Sequence, residues 1–195
     1  FYANLYDIKQ TPKYSMRTLT YHEATPGHHH QIAHSLENED LTLYRRFGYG
    51  TSAFSEGWAL YAERLALEVG LANDPYDELG ILQSEIFRAV RLVVDTGMHY
   101  KRWTREEAME YMKSKTGMSD TEVRVEIERY IVWPGQALSY KVGMIKILEL
   151  REKAMNELGD DFNLKDFHSA VLDHGNPPLF IVEEMVNKMI EDAKS

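Results

Sequence analysis

The stretch His22-Glu23-Ala24-Thr25-Pro26-Gly27-His28-His29-His30-Gln31 sets four histidines and a glutamate around a Pro-Gly pair. Two histidines one helical turn apart, with a glutamate beside the first, can bind zinc on one face and present a base to it. Here the first two histidines are six residues apart. On an undistorted helix that spacing separates them by about 120° around the axis and roughly 9 Å along it, too far for one ion. Pro26 changes the geometry, because its ring clashes with the carbonyl of His22 and it has no N–H to donate there. Gly27 tolerates backbone angles that other residues avoid. If Pro26-Gly27 bulges out, His28 takes the place of the second ligand. His29 is the rival, since a spacing of seven returns to the same face, at a rise of about 10.5 Å. The plain alternative is a solvated run of histidines.

A third ligand is expected from another helix. Phe54-Ser55-Glu56-Gly57-Trp58-Ala59 places Glu56 in an early turn, with Gly57 beside it removing bulk where a metal and a substrate would approach. Glu63 lies seven residues on, on the same face, and suits a hydrogen-bond acceptor for a ligand histidine better than a ligand. Two histidines and one glutamate form a catalytic zinc set with one position left open.

Composition sets the outer limits. The chain has 195 residues, 44% of them hydrophobic, and carries 22 basic against 31 acidic side chains for a net charge of −9. That balance argues against a nucleic-acid binder, which needs a basic footprint. The absence of cysteine removes disulfides, thiolate metal sites and a cysteine nucleophile. No apolar run approaches the roughly 20 residues of a membrane span. The compartment stays open: cytoplasmic, or periplasmic and membrane-anchored if a leader precedes this sequence.

Along the chain the pattern predicts a mainly α fold in one domain over 1–195, with one or two N-terminal β-strands. Residues 1–8 are aromatic-rich and suit a strand. Because the sequence opens inside that strand without Met, it is expected to be the C-terminal part of a longer protein. Helices are predicted from His22 to about Leu43 with a break at Pro26-Gly27, from a cap at Ser52 or Ser55 (Ser52 fitting better) to Val69, and from Asp74-Pro75 to about Asp95-Thr96-Gly97. The last of these has Leu79, Leu82, Ile86, Val90, Val93 and Val94 as its apolar stripe. Thr104 and Glu107 form a capping box for a helix over 105–114. Further helices run from Asp120 to about Ile131, over 136–158, over 164–172 and over 179–193.

The segments HEATPGHHHQ (22–31), AFSEGWALYAERL (53–65), RAVRLVVDTGMH (88–99), RYIVWPGQALSYKVG (129–143) and FHSAVLDHGNPPL (167–179) together resemble a large bacterial family catalogued as a domain of unknown function. That family carries an HExxPGHH motif and is similar to gluzincin-type zinc metallopeptidases. The resemblance covers nearly the whole chain and corresponds to the C-terminal catalytic portion of longer members. It implies a zincin-like helical domain, Zn2+ as cofactor, His22, His28 and Glu56 as ligands, and Glu23 as general base. His30 departs from the pattern, where an apolar residue is expected.

The implied activity is peptide-bond hydrolysis by a metal-activated water. A metal-containing binding or structural module, or a hydrolase of other amides or esters, shares most of the pattern. Peptide hydrolysis also needs help for the oxyanion, and Tyr140 and His168 are candidates. A buried, purely structural Tyr140 is the alternative. His99 and Arg129 are candidate substrate-binding residues; Arg129 suits a peptide carboxylate, or a structural acid such as Glu56 or Asp95. The expected partners are a peptide substrate and the missing N-terminal portion of the same protein. The first strand could pair with an extended peptide.

Overall fold

A computed structural model of the protein describes residues 12–48 and 50–195. The strand expected over 1–8 lies outside these residues, and there is no strand among the described ones. Ten α-helices follow one another among the described residues: α1 (Met16–Glu23), α2 (His28–Glu37), α3 (Leu43–Phe47), α4 (Ser52–Glu68), α5 (Pro75–His99), α6 (Arg105–Thr116), α7 (Asp120–Val132), α8 (Ser139–Leu158), α9 (Leu164–Leu172) and α10 (Leu179–Lys194). None is long and apolar enough to cross a membrane.

Local chemistry sets several of the helix starts. The Asp74 side chain accepts from the Tyr76 and Asp77 amides, with Pro75 at the first position of α5. Thr104 with Glu107 and Ser119 with Glu122 close reciprocal capping boxes on α6 and α7. Helix α4 begins differently from the expectation. Its cap is Thr51, whose hydroxyl donates to the Pro177 carbonyl, while Ser52 Oγ pairs with Ser139 Oγ at 2.8 Å. The serine that looked like a cap instead ties the starts of α4 and α8 together.

Two apolar cores result. Phe54, Trp58, Tyr61, Met144, Ile147, Phe167, Val182 and Val186 join α4, α8, α9 and α10. Val90, Val94, Met112, Val123, Ile127 and Tyr130 join α5, α6 and α7. Helices α4 and α8 cross at two glycines. A Cβ on Gly143 would sit 1.8 Å from the Ala53 carbonyl oxygen, and one on Gly57 would sit 2.5 Å from the Gly143 Cα. The room at Gly57 is thus filled by α8, not kept for a metal or a substrate.

The apolar stripe of α5 also differs from the expectation. Leu79, Leu82, Ile86 and Val93 are exposed, and the buried face carries Asp77, Gly80, Ile81, Ser84, Val90, Arg91 and Val94. Helix α5 is apolar on more than one side, so contact with the preceding segment chooses the face. Gly80 lies against the Tyr14 carbonyl, and Arg17 pairs with Asp77 at 2.7 Å.

Candidate metal centre

The Pro-Gly pair ends one helix and starts another instead of bulging from a continuous one. Helix α1 stops at Glu23 and α2 starts at His28. Gly27 packs on the end of α1 so tightly that a Cβ there would lie 1.9 Å from the His22 carbonyl oxygen. The Trp58 indole N–H donates to the Pro26 carbonyl oxygen at 2.8 Å and ties the turn to α4. His28 is thereby brought back beside His22, with ring centroids 4.8 Å apart and planes perpendicular.

His22, His28 and Glu56 converge, each offering a ligand atom within 4.8 Å of the others. Glu56 Oε2 is 3.1 Å from His28 Nε2 and 3.6 Å from His22 Nε2. Tetrahedral zinc with bonds near 2.0–2.1 Å sets its ligand atoms about 3.3 Å apart, so these two spacings fit one ion. His29 is exposed and outside this group.

His22 is buried, and its Nδ1 lies 2.7 Å from Glu63 Oε1, on a carboxylate that is itself 1% exposed. An Nδ1–H donated to Glu63 leaves Nε2 facing Glu56. Burial pulls the His22 pKa down, but the bonds to Glu56 and Glu63 outweigh it and the net shift is upward. Burial likewise opposes ionisation of Glu56, yet the two histidines drive its pKa far below the usual carboxylate range. Two carboxylates around one buried imidazole call for positive charge between them, either a proton or a metal ion. The donor set of two imidazoles and a carboxylate, with Glu63 orienting the first ring, suits zinc.

Other candidate residues are distributed unevenly around this point. Glu23 is exposed beside His22, with no hydrogen bond among the described residues. The Tyr140 ring stacks on His22 at 6.2 Å with a 22° tilt, and the Arg91 guanidinium covers it at 4.7 Å. Its hydroxyl accepts from Gln136 Nε2 at 3.4 Å. Arg129 donates to Gln136 Oε1 and lies 3.7 Å from Glu126; it meets neither Glu56 nor Asp95. Asp95 instead accepts from the Gly135 amide.

His99 Nε2 bonds the Tyr130 carbonyl at 3.0 Å, in the α5–α7 packing. His168 lies among Trp58, Tyr61 and Phe167, with its Nε2 2.8 Å from the Tyr61 hydroxyl. Burial, helped by Arg151 and His30, pushes the His168 pKa down to about 4. The neutral ring therefore accepts from Tyr61 and is tied into the aromatic core.

Sequence reasoning did not foresee that Trp58 ties Pro26 to α4, and it missed Arg88. Arg88 stacks on the Phe87 and Tyr140 rings at 5.0 and 5.6 Å. The available signal was the spacing of Arg88, Arg91 and Asp95, charged residues in phase with the buried face of α5.

A family model described as a bacterial protein of unknown function (DUF885) matches residues 1–186. This chain belongs to that family. Two solved structures share its fold. One, titled as the "putative lipoprotein" from Colwellia psychrerythraea, is 54% identical, with a TM-score of 0.93 over 97% of this chain and 32% of its own. The other, titled as a "putative lipoprotein of unknown function" from Shewanella oneidensis, is 29% identical, with a TM-score of 0.84 over 92% of this chain and 32% of its own. The DUF885 chain described here thus spans about a third of the length of these relatives. No curated protein matches it.

Proposed function

We propose that this DUF885 chain carries the zinc centre of a gluzincin-like hydrolase acting on peptide bonds, on a zincin-like helical scaffold. The convergence of His22, His28 and Glu56, with Glu63 holding the far nitrogen of His22, carries the reading. Bound zinc supplies Lewis acidity toward a carbonyl oxygen.

The protein's own groups supply the rest. Glu23, adjacent to His22 and unpaired among the described residues, takes the proton of the attacking water and returns it to the leaving amine. Tyr140, held flat against His22 by Arg91, offers its hydroxyl to the developing oxyanion. Arg129 supports the site through Gln136, whose amide also donates to the Tyr140 hydroxyl.

The titles of the two solved relatives support a lipid-anchored location for the longer protein, and the peptide site would then face the compartment on that side of the membrane.

The test is elemental analysis of protein purified without chelators, followed by a peptide-library digest before and after chelation. One zinc per chain and chelator-sensitive cleavage are expected. Absence of any first-row metal at this site, or cleavage indifferent to chelation, would refute the reading.

A further inference from the structure

Glu126 belongs to α7 and is not one of the converging metal-site residues, yet two arginines link its carboxylate to Tyr140. Glu126 Oε2 accepts from Arg91 Nη2 at 2.8 Å and from the Tyr130 hydroxyl. Its other oxygen, Oε1, lies 3.7 Å from Arg129 Nη1. Arg91 also donates from Nε to the Tyr130 hydroxyl at 2.7 Å, and it is 4% exposed.

The two arginines reach different parts of Tyr140. The Arg91 guanidinium lies 4.7 Å from the centre of the Tyr140 ring and 4.2 Å from that of Phe87. Arg129 donates from Nη2 to Gln136 Oε1 at 3.1 Å, and Gln136 Nε2 donates to the Tyr140 hydroxyl at 3.4 Å. One arm therefore meets the ring, which stacks on His22, and the other meets the hydroxyl. A buried ion pair adds little net stability over apolar residues of similar volume. A planar guanidinium does supply direction, because its donors form a rigid fork and its face stacks on aromatic rings.

We infer that Glu126 is a positioning residue for Tyr140, setting the ring through Arg91 and the hydroxyl through Arg129 and Gln136. The consequence for rate rests on the hydrolase reading; the placement of Tyr140 does not. Arg129 then serves turnover and not substrate affinity, unlike the substrate-binding role expected for it.

Two measurements test the inference. In NMR spectra of protein carrying labelled tyrosine, the Tyr140 ring signal is identified by its loss in Tyr140→Phe. That signal should shift or broaden in Glu126→Gln and in Arg129→Gln. In steady-state cleavage of a peptide by the zinc-loaded protein, each of these two substitutions should lower kcat about tenfold and leave KM within about twofold. In a Tyr140→Phe background the same substitutions should change kcat by less than about twofold, because the hydroxyl they position is gone. Thermal melting reports folding, and if Glu126→Gln does not fold, Arg129→Gln decides, since that side chain is 37% exposed. A Tyr140 signal unchanged in the folded variants overturns the inference whether or not any peptide is cleaved. Equal losses of kcat with and without the Tyr140 hydroxyl, or a rise in KM alone in Arg129→Gln, overturn it as well. If the signal moves as expected and the unaltered protein cleaves no peptide, the hydrolase reading fails and the placement of Tyr140 by Glu126 stands.

Discussion

The Trp58 indole N–H donates to the carbonyl oxygen of Pro26 across 2.8 Å, so a core residue of α4 holds the turn that separates the two histidines. Trp58 is 1% exposed, and its loss would leave that carbonyl without its donor. Trp58→Phe keeps most of the packing and removes only the N–H and part of the ring. It is expected to cost about 1–3 kcal/mol of stability and to weaken zinc binding by about tenfold or more, as loss of a ligand-orienting group does. Urea unfolding and a competitive zinc titration measure the two effects. A stability loss with unchanged zinc affinity would show that the turn is set without Trp58.

Glu63 and Glu56 should separate cleanly in metal binding. Glu63→Gln retains an acceptor for His22 Nδ1 but loses the charge, and zinc affinity should fall by about 10–100-fold. Glu56→Gln removes a ligand and should fall further. Equal, small effects in both variants would mean that the cluster is an ion-pair network with no metal.

Glu23→Gln should bind zinc within a few-fold of the unaltered protein while turnover on a cleaved peptide falls by about 10²–10⁴. Tyr140→Phe should cost roughly 2–4 kcal/mol of transition-state stabilisation, read as a drop in kcat, with the melting temperature little changed. If the cost of Tyr140→Phe appears in melting and not in rate, the stacking on His22 is structural.

Gly143→Ala tests the α4–α8 crossing. The added methyl would meet the Ala53 carbonyl at 1.8 Å, a clash that only helix displacement relieves. A destabilisation of about 1–3 kcal/mol is expected, the usual range for overpacking. A variant that melts at the original temperature would show that the two helices move apart freely.

His168 should make stability depend on acid pH. Its pKa falls from the ordinary 6.5 to about 4 on folding, so between those values the unfolded chain binds more protons than the folded one. Stability therefore rises with pH across that window: the contribution is complete above about pH 6.5 and is lost as pH falls toward 4. His168→Gln keeps an acceptor for the Tyr61 hydroxyl and removes the titration. The stability of the unaltered protein relative to that variant should decline from pH 7 to pH 4 in urea unfolding; a constant difference would contradict a neutral buried ring.

Features that depend on residues within a turn or two of each other are legible in the sequence. The Asp74-Pro75 start of α5, the Thr104–Glu107 box on α6 and the break between α1 and α2 are of this kind, because caps and proline act on their own backbone. The return of His28 toward His22 was legible in part, because Pro26-Gly27 interrupts the helix between them. The full set with Glu56 was what the family resemblance implied, and packing of α4 against α1 and α2 brings Glu56 there. Tertiary structure alone decided which face of α5 is buried, that α8 and not a substrate fills the space at Gly57, and that Trp58 secures Pro26. It also decided the partners of the remaining polar residues. His168 goes to Tyr61, His99 to the Tyr130 carbonyl and Arg129 to Gln136, while Arg88 is left beside an open cavity. A polar side chain takes whichever group the crossing helices bring within hydrogen-bond reach, and that distance is set by core packing between segments far apart in the chain.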